Sequence, residues 1–163
     1  MANKTALYAG TFDPVTYGHL DLIKRAKQIF PELIVAVAQN PAKKTIFSLQ
    51  ERVALLKQVT KEIKGVKVVV LRGLVVDYAC KNGIKVLIRG LRMVSDFEYE
   101  FQMALMNRKL SLNIETIFLM PHESFSYLSS RLLKEAALFG ADLSEFVPPL
   151  VEKKLKAKLG VKK

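Results

Sequence analysis

The sequence has 163 residues, of which 50% are hydrophobic and 25% charged, and this length and balance are typical of one globular domain and short for two. The aliphatic content is high and no extended low-complexity segment occurs, which excludes a disordered chain and a fibrous repeat. The longest apolar runs are about four to six residues, far below a bilayer-spanning length, and the N-terminus lacks the pattern of a signal peptide. We therefore expect a cytoplasmic protein with no membrane partner.

Cysteine and histidine are too few for a disulfide framework or a structural zinc site. Cys80 is the single cysteine, and the two histidines, His19 and His122, lie far apart in the chain. An intrachain disulfide is excluded, and the spacing of the histidines does not match a zinc motif. No metal ligands are expected from protein side chains.

The net charge of +11 is compatible with nucleic acid, a membrane surface or a polyanionic small molecule as partner. The segment Glu152 to Lys163 contains six lysines and one glutamate, so the rest of the chain is only moderately basic. Val151, Leu155 and Leu159 form one narrow apolar stripe in this region, which predicts a docked basic helix at about 148–160. A solvated lysine-rich face is the commoner outcome for such a helix, so we expect no nucleic-acid partner.

The chain alternates between short apolar runs and amphipathic segments. Five runs rich in Val, Ile and Leu predict buried strands at Ala6 to Gly10, Leu33 to Gln39, Lys67 to Arg72, Lys85 to Arg89 and Glu115 to Met120. Between the first strands, apolar residues recur every three to four positions, as is typical of helices. Strands that alternate with helices predict a doubly wound, Rossmann-like parallel sheet of five strands with helices on both faces, in a single domain over 1–163.

Several residues mark predicted helix ends. Ser48 with Glu51, and Ser95 with Glu98, have the S-x-x-E spacing of a capping box and predict two helix starts. Helix ends are predicted near three glycines, Gly65, Gly83 and Gly140.

A polar loop that runs from Gly10 to His19 joins the first strand to the first helix. Ligands of a doubly wound sheet bind at the carboxyl ends of the strands, and a helix N-terminus there attracts an anion. The position of His19 suits a donor to that anion and equally suits a capping or exposed histidine. Neither a G-x-G-x-x-G fingerprint nor a Walker-type loop occurs in the chain.

Three other strand ends carry groups that suit phosphate. Arg89 and Arg92 flank Gly90 and Leu91 at the end of the fourth strand, and guanidinium groups bind phosphate by paired hydrogen bonds. Either Lys43 or Lys44, after the second strand, is close enough in sequence to reach the same edge. The fifth strand is followed by serines that either cap a helix or donate to phosphate, between Ser126 and Ser130.

Three segments of the sequence carry a family resemblance. The run from Tyr8 to Pro14, followed by Thr16-Tyr17-Gly18-His19, resembles the T/HxGH motif of the nucleotidyltransferase superfamily. The further segments Arg89-Gly90-Leu91-Arg92 with Asp96 to Glu100, and Phe125 to Ser130 with Lys134-Glu135, make the chain similar to the bacterial phosphopantetheine adenylyltransferases. The resemblance extends from about Lys4 to Leu159.

The resemblance implies transfer of the adenylyl group of ATP to 4'-phosphopantetheine in coenzyme A synthesis, with Mg2+ and a homohexamer. It implies a role for His19 in transition-state stabilisation, aided by Thr11. It implies phosphopantetheine contacts from Thr11, Lys43, Val75 and Arg89. It implies ATP contacts from Thr11, Phe12, His19, Gly90, Leu91, Arg92, Glu100, Phe125, Ser126, Tyr127, Leu128, Ser129, Ser130 and Arg131.

The chain departs from the family pattern at Ala9, Tyr17 and Arg131, which stand where proline, asparagine and a small hydroxyl residue are usual. Arg131 removes one hydroxyl contact to ATP and offers a charge to pyrophosphate instead. A related adenylyltransferase that acts on nicotinamide mononucleotide, a cytidylyltransferase and a basic RNA-binding protein are the remaining alternatives.

Overall fold

The computed structural model describes residues 4–39 and 44–161. Five strands alternate with seven helices among these residues. The strands are β1 (Thr5–Gly10), β2 (Glu32–Ala38), β3 (Val66–Leu71), β4 (Val86–Gly90) and β5 (Glu115–Leu119). The helices are α1 (Tyr17–Ile29), α2 (Leu49–Thr60), α3 (Val75–Lys81), α4 (Val94–Leu110), α5 (Glu123–Ser126), α6 (Ser130–Leu138) and α7 (Pro149–Leu159).

The five strands form one parallel sheet in the order β3-β2-β1-β4-β5. The chain builds outward from β1 to β3 and then returns to the other side of β1, so the strand order reverses between β1 and β4. A crevice opens at such a reversal because the helices that follow the two strands cross to opposite faces. Gly10 and Gly90 end the two strands at this point, and the predicted fold class is confirmed.

Apolar side chains leave both faces of the sheet and form two cores. Ala6 and Tyr8 of β1 join the larger core, which is built with α1, α2, α6 and α7. The alternate residues of β1, Leu7 and Ala9, join a smaller core that includes α3. Because strand side chains alternate between faces, β1 supplies both cores and is covered on both sides. No helix in the described part of the chain is long and apolar enough to cross a membrane.

The predicted helix ends are confirmed in part. Ser48 caps α2 in a reciprocal capping box with Glu51. The prediction that Ser95 and Glu98 begin a helix is wrong, because α4 begins two residues earlier, after Met93, which provides no side-chain cap. The S-x-x-E pattern is local and does not specify where the preceding chain leaves the sheet edge. The three glycines predicted near helix ends have positive φ, namely Gly65, Gly83 and Gly140.

Candidate active site

A first cavity of about 590 Å3 opens at the carboxyl ends of β1 and β4. The loop after β1, the start of α1 and the start of α6 complete its wall. Eleven of the residues predicted to bind substrate line it, namely Thr11, Phe12, His19, Arg89, Gly90, Arg92, Phe125, Leu128, Ser129, Ser130 and Arg131. Residues from four separate segments therefore meet in one cavity, as the reversal of the strand order requires.

A second cavity of about 510 Å3 lies on the other side of the same strand ends, beside α3 and α4. Val75 and Glu100 line it, together with apolar residues such as Leu71, Leu74 and Met103. The two cavities share the wall formed by Ala9, Gly10, Thr11, Arg89 and Arg92. The two cavities therefore adjoin along residues that include two guanidinium groups, and molecules bound in them can meet at this boundary.

Three predicted residues lie elsewhere, and the location of a fourth is not described. Leu91, Ser126 and Tyr127 line neither cavity, and Lys43 lies outside the described residues. The Leu91 N–H donates to the carbonyl of Leu119. Lys44, the alternative to Lys43, lines the first cavity. Glu100, which was predicted for the ATP side, lines only the second cavity.

The loop after β1 is held in place by a buried aspartate. Asp13 is 3% exposed, and its carboxylate accepts hydrogen bonds from the N–H groups of Ile46 (3.0 Å) and Phe47 (2.9 Å). The ammonium group of Lys134 on α6 is 2.9 Å from the same carboxylate. Asp13 therefore links three segments of the chain, and both of its carboxylate oxygens already accept hydrogen bonds.

The buried residue Arg52 holds the same loop from α2. Its Nη1 donates to the carbonyls of Thr11 (2.6 Å) and Ala38 (3.0 Å), and its Nε has no partner among the described residues. Burial lowers the pKa of Arg52, and the charge of Asp13 opposes that effect. The sequence signal for this role was available, because Arg52, Leu55 and Leu56 share the buried face of α2.

Phe12 closes the base of the first cavity. It adopts φ +51°, which is uncommon for a residue with a side chain, and its ring lies under Gly10. A Cβ atom on Gly10 would lie 2.9 Å from Cζ of Phe12, so any side chain there would require the Phe12 ring to shift. The Phe12 ring meets the ring of His19 edge to face at a centroid distance of 5.0 Å.

His19 forms a capping box with Thr16 at the start of α1. Nδ1 of His19 accepts the N–H of Thr16 at 3.0 Å, and the Thr16 hydroxyl oxygen accepts the N–H of His19 at 3.3 Å. The two interpretations of His19 are therefore compatible, since one ring nitrogen caps the helix and the other is left for the cavity. The cap also occupies donors that we expected to be free for an anion. The N–H of Tyr17 binds the carbonyl of Phe146 as well.

The hydrogen bond to Nδ1 determines the tautomer of His19. Burial of the imidazole and the positive charge of Arg92 lower its pKa to about 4, so the ring is neutral at pH 7. A backbone N–H can only donate, so Nδ1 has to present its lone pair. The hydrogen of the neutral ring is therefore on Nε2, and His19 is a neutral hydrogen-bond donor towards its surroundings.

Both guanidinium groups of the shared wall are oriented by carboxylates. Arg89 donates from Nε and Nη2 to Glu100, both at 2.6 Å, and from Nη1 to the carbonyl of Ala9. Arg92 donates to both oxygens of Asp96 and, from Nη1, to the carbonyl of Leu128 at 2.8 Å. Burial lowers the pKa of Arg89, but the hydrogen bonds and charge of Glu100 outweigh it and the pKa is raised. Arg89 thus stays charged inside the wall.

Three other cationic side chains belong to the first cavity. Lys44, Arg131 and Lys134 line it, and Asp13 is the one carboxylate among its lining residues. Arg131 is mostly exposed and pairs with Glu135 at 3.1 Å. Ser129 caps α6 by accepting the N–H of Leu132, and Ser130 donates to the carbonyl of Pro14. Of the serines between Ser126 and Ser130, Ser129 therefore performs the capping role that was their simpler interpretation.

A parallel sheet whose strand-order reversal opens onto a cation-lined cavity defines the class of α/β proteins that bind nucleotides. The family model described as cytidylyltransferase-like matches residues 7–136. A phosphopantetheine adenylyltransferase from Caldanaerobacter subterraneus subsp. tengcongensis is 58% identical over 155 residues, 95% of this chain and 97% of that protein. One from Desulfosudis oleivorans is 52% identical over 157 residues, 96% of this chain and 94% of that protein. This chain belongs to the phosphopantetheine adenylyltransferase family, within the cytidylyltransferase-like proteins.

Solved structures with low sequence identity share the fold. A protein described as a nicotinate-nucleotide adenylyltransferase from Vibrio parahaemolyticus superposes with a TM-score of 0.70 at 16% identity and covers 98% of this chain and 96% of its own. A lipopolysaccharide core biosynthesis protein from Thermoplasma volcanium GSS1 has a TM-score of 0.56 at 23% identity, over 72% of this chain and 97% of its own. At these identities the likeness concerns the fold alone.

Proposed function

We propose that this protein transfers the adenylyl group of ATP to 4'-phosphopantetheine, reversibly, to form dephospho-coenzyme A and pyrophosphate. The observation that carries this proposal is the pair of cavities with a common wall that contains Arg89 and Arg92. ATP occupies the first cavity, and phosphopantetheine occupies the second with its phosphate at the wall. The mostly apolar lining of the second cavity suits an extended pantetheine arm.

The reaction needs no general base. The nucleophile is a phosphate monoester whose second pKa is about 6, so it is mostly ionised at neutral pH. Its oxygen forms a bond to the α-phosphorus of ATP, and the bond from that phosphorus to the bridging oxygen breaks, with the electron pair leaving on pyrophosphate. The sequence contains no Ser-His-Asp order and no clear general-base dyad, which gives hydrolysis through a covalent intermediate little support and is consistent with this chemistry.

Repulsion between the two anionic substrates is the main obstacle to reaction. At roughly 4 Å and an effective dielectric constant near 20, one pair of unit charges costs about 4 kcal/mol. Arg89 and Arg92 in the wall, with Lys44 of the first cavity, offset this cost. The neutral His19 donates from Nε2 to an oxygen of the α-phosphate, where charge accumulates in the transition state.

Magnesium fits this site as part of the nucleotide substrate. No group of three or more His, Cys, Asp or Glu residues in the described part of the chain forms a metal site. Asp13, the carboxylate of the first cavity, already accepts three hydrogen bonds. Mg2+ commonly binds through substrate phosphates with few protein ligands, so it enters as MgATP.

The test is pyrophosphate release from ATP and Mg2+ with three candidate acceptors. We expect release with 4'-phosphopantetheine and none with pantetheine, which lacks the nucleophilic phosphate. Faster release with nicotinamide mononucleotide would reassign the acceptor. Salt-sensitive binding to generic RNA without any pyrophosphate release would favour the RNA-binding alternative.

The proposed assembly is a homohexamer in the cytoplasm. The feature that supports self-association is the apolar exposed surface of α4, where Phe97 and Phe101 stack with ring centroids 5.5 Å apart and Leu105 and Met106 are also exposed. Exposed apolar patches of this kind mark interaction sites. Another face of α4 lines the second cavity, through Glu100 and Met103 among others, and belongs to the proposed substrate site. For the exposed apolar patch, the occupant that we propose is a second copy of the chain.

A further inference from the structure

Tyr8 is a buried residue that the proposed mechanism does not use. It lies on β1, faces the larger core and is 5% exposed. Its ring meets the ring of Phe12 edge to face at 5.4 Å. Tyr8 nevertheless lines the first cavity, so it is more than a packing residue of the strand.

The hydroxyl group of Tyr8 lies beside the end of β4. A Cβ atom placed on Gly90 would lie 4.0 Å from it and 2.5 Å from Cδ1 of Leu22. The absence of a side chain at Gly90 therefore keeps open the space next to the Tyr8 hydroxyl. A Cβ at this position would also require the Leu22 side chain to shift.

The Tyr8 hydroxyl has no hydrogen-bond partner among the residues that the structure describes. The neighbouring guanidinium groups form hydrogen bonds with other residues. Arg89 donates to Glu100 and to the carbonyl of Ala9. Arg92 donates to Asp96 and to the carbonyl of Leu128. The hydroxyl oxygen is not among the fully buried side-chain atoms that lack a partner, so it is accessible from the cavity that Tyr8 lines, where a bound molecule can accept its hydrogen. The missing partner of Tyr8 is therefore expected in the cavity.

The charge state of Tyr8 fits a donor. Burial raises the pKa of its hydroxyl far above the ordinary value, the charges of Arg89 and Arg92 act in the opposite direction, and Glu100 adds to the increase. The phenol therefore keeps its hydrogen at neutral pH. The same two arginines make the space around the hydroxyl positive, which draws an anionic acceptor towards it.

We propose that the hydroxyl group of Tyr8 donates a hydrogen bond to a phosphate oxygen of the nucleotide bound in the first cavity. This inference rests on the proposed function for the presence of a nucleotide there. It assigns Tyr8 as a binding residue for the triphosphate, in addition to the residues predicted from the sequence. It also gives Gly90 a defined task, which is to leave room for the phosphate next to the hydroxyl.

The test compares Tyr8→Phe with Tyr78→Phe, a matched control on α3 that lines neither cavity. Tyr8→Phe removes only the oxygen, so we expect an unchanged melting temperature. Hydrogen bonds to charged groups carry enough energy for about a 10- to 100-fold loss of affinity, and we expect that loss for ATP and for inorganic triphosphate, measured by calorimetry. Adenosine, measured by competition, keeps its affinity.

Two outcomes would overturn the assignment. The first is an ATP affinity of Tyr8→Phe within twofold of Tyr78→Phe. The second is an equal loss for adenosine, which would place the contact on the nucleoside. The titrations contain no acceptor, so they test Tyr8 separately from the choice of acceptor. If pyrophosphate release shows a different acceptor, the proposed function is wrong, but a selective loss of triphosphate affinity in Tyr8→Phe still supports the role of Tyr8.

Discussion

The two ring nitrogens of His19 have different roles. Nδ1 caps α1 by accepting the N–H of Thr16, and Nε2 carries the hydrogen that is available to the proposed substrate. The cap orients the ring, and the low pKa keeps the ring neutral. A cationic imidazole would have to give up the Thr16 bond, because a protonated Nδ1 cannot accept a hydrogen bond.

Replacement of His19 by alanine tests the catalytic half of this arrangement. We expect His19→Ala to fold and to lose on the order of 10² to 10³ in kcat, the range for one transition-state donor. The matched control is His122→Ala, the other histidine, which lies outside both cavities. Steady-state pyrophosphate release measures the effect, and a His19→Ala enzyme with near wild-type kcat would contradict the role.

The pH dependence of stability tests the neutral state of His19. Its pKa is about 4 in the folded protein and about 6.5 when unfolded, so between these values the unfolded chain binds more protons. The free energy of unfolding therefore falls as the pH drops from about 6.5 towards 4. Urea unfolding of wild type and His19→Ala isolates this contribution, and the stability difference between them is expected to change across the window. A constant difference would argue against the shift.

Arg89 is expected to act mainly on the acceptor. It lines both cavities, but its side chain is held against Glu100, which lines only the second cavity. We expect Arg89→Ala to weaken phosphopantetheine binding by about tenfold or more, because a charge-assisted hydrogen bond is lost, and to weaken ATP binding less. Calorimetry with each ligand measures the two effects. A greater loss for ATP than for phosphopantetheine would contradict this assignment.

At the scale of elements, the loop after β1 is positioned by long-range contacts. Asp13 reaches Phe47 at the start of the α2 region and Lys134 on α6, while Arg52 on α2 reaches the carbonyl of Thr11. The cavity wall is therefore anchored to two helices that are far apart in the chain. The loop owes its order to these contacts and to the left-handed conformation at Phe12.

Removal of the Asp13 carboxylate is expected to destabilise the whole protein. Asp13→Ala leaves the N–H groups of Ile46 and Phe47 without their acceptor and Lys134 without its partner, and breaking a buried ion pair costs about 3 kcal/mol. The control Asp77→Ala alters an exposed aspartate on α3 and should cost less than about 0.5 kcal/mol. Chemical denaturation measures both, and equal stabilities for the two variants would show that Asp13 anchors nothing.

At the scale of the whole molecule, α4 connects the site to the proposed assembly. Asn107 is buried on this helix, whereas Phe97, Phe101 and Leu105 are exposed. A helix of 17 residues with so much exposed apolar surface is typical of an interface between subunits. Because Glu100 on the same helix orients Arg89, association of subunits would also fix one wall of the second cavity.

Sedimentation of the intact protein tests the assembly. We expect a species with six times the 18.3 kDa mass of the chain, and we expect Phe101→Glu to shift it to smaller species by burying a charge in the interface. Ile29→Glu is the control, since Ile29 is an exposed apolar residue at the end of α1. A monomeric wild type, or an unchanged mass in Phe101→Glu, would remove α4 from the assembly.

Much of the architecture was predictable because its signals are local. The apolar runs located all five strands to within a residue or two of their ends, and Ser48 with Glu51 located the start of α2. The clustering of residues that can bind phosphate was predicted from one rule, that parallel strands end at the same edge of the sheet. Periodicity also predicted the apolar stripe at Val151 and Leu155, both of which are buried.

Other features depend on contacts between residues far apart in the chain. The start of α4 was misplaced at Ser95, because a capping pattern that is compatible with a helix start also occurs within a helix. Tyr8 was interpreted as part of an apolar strand, and only the neighbouring Gly90 and the missing partner of its hydroxyl draw attention to it. The pairing of Arg89 with Glu100 likewise had no unique sequence signal.

The sequence by itself determined the alternation of strands and helices and the chemical character of each strand end, because both depend on residues that are neighbours along the chain. Only the tertiary structure decided the strand order, the division of the site into two cavities, and the pairing of Arg89 with Glu100. These properties depend on which side chains meet across the sheet and on which hydrogen bonds they exchange there. Packing of distant segments selects one arrangement from many that the same local patterns allow.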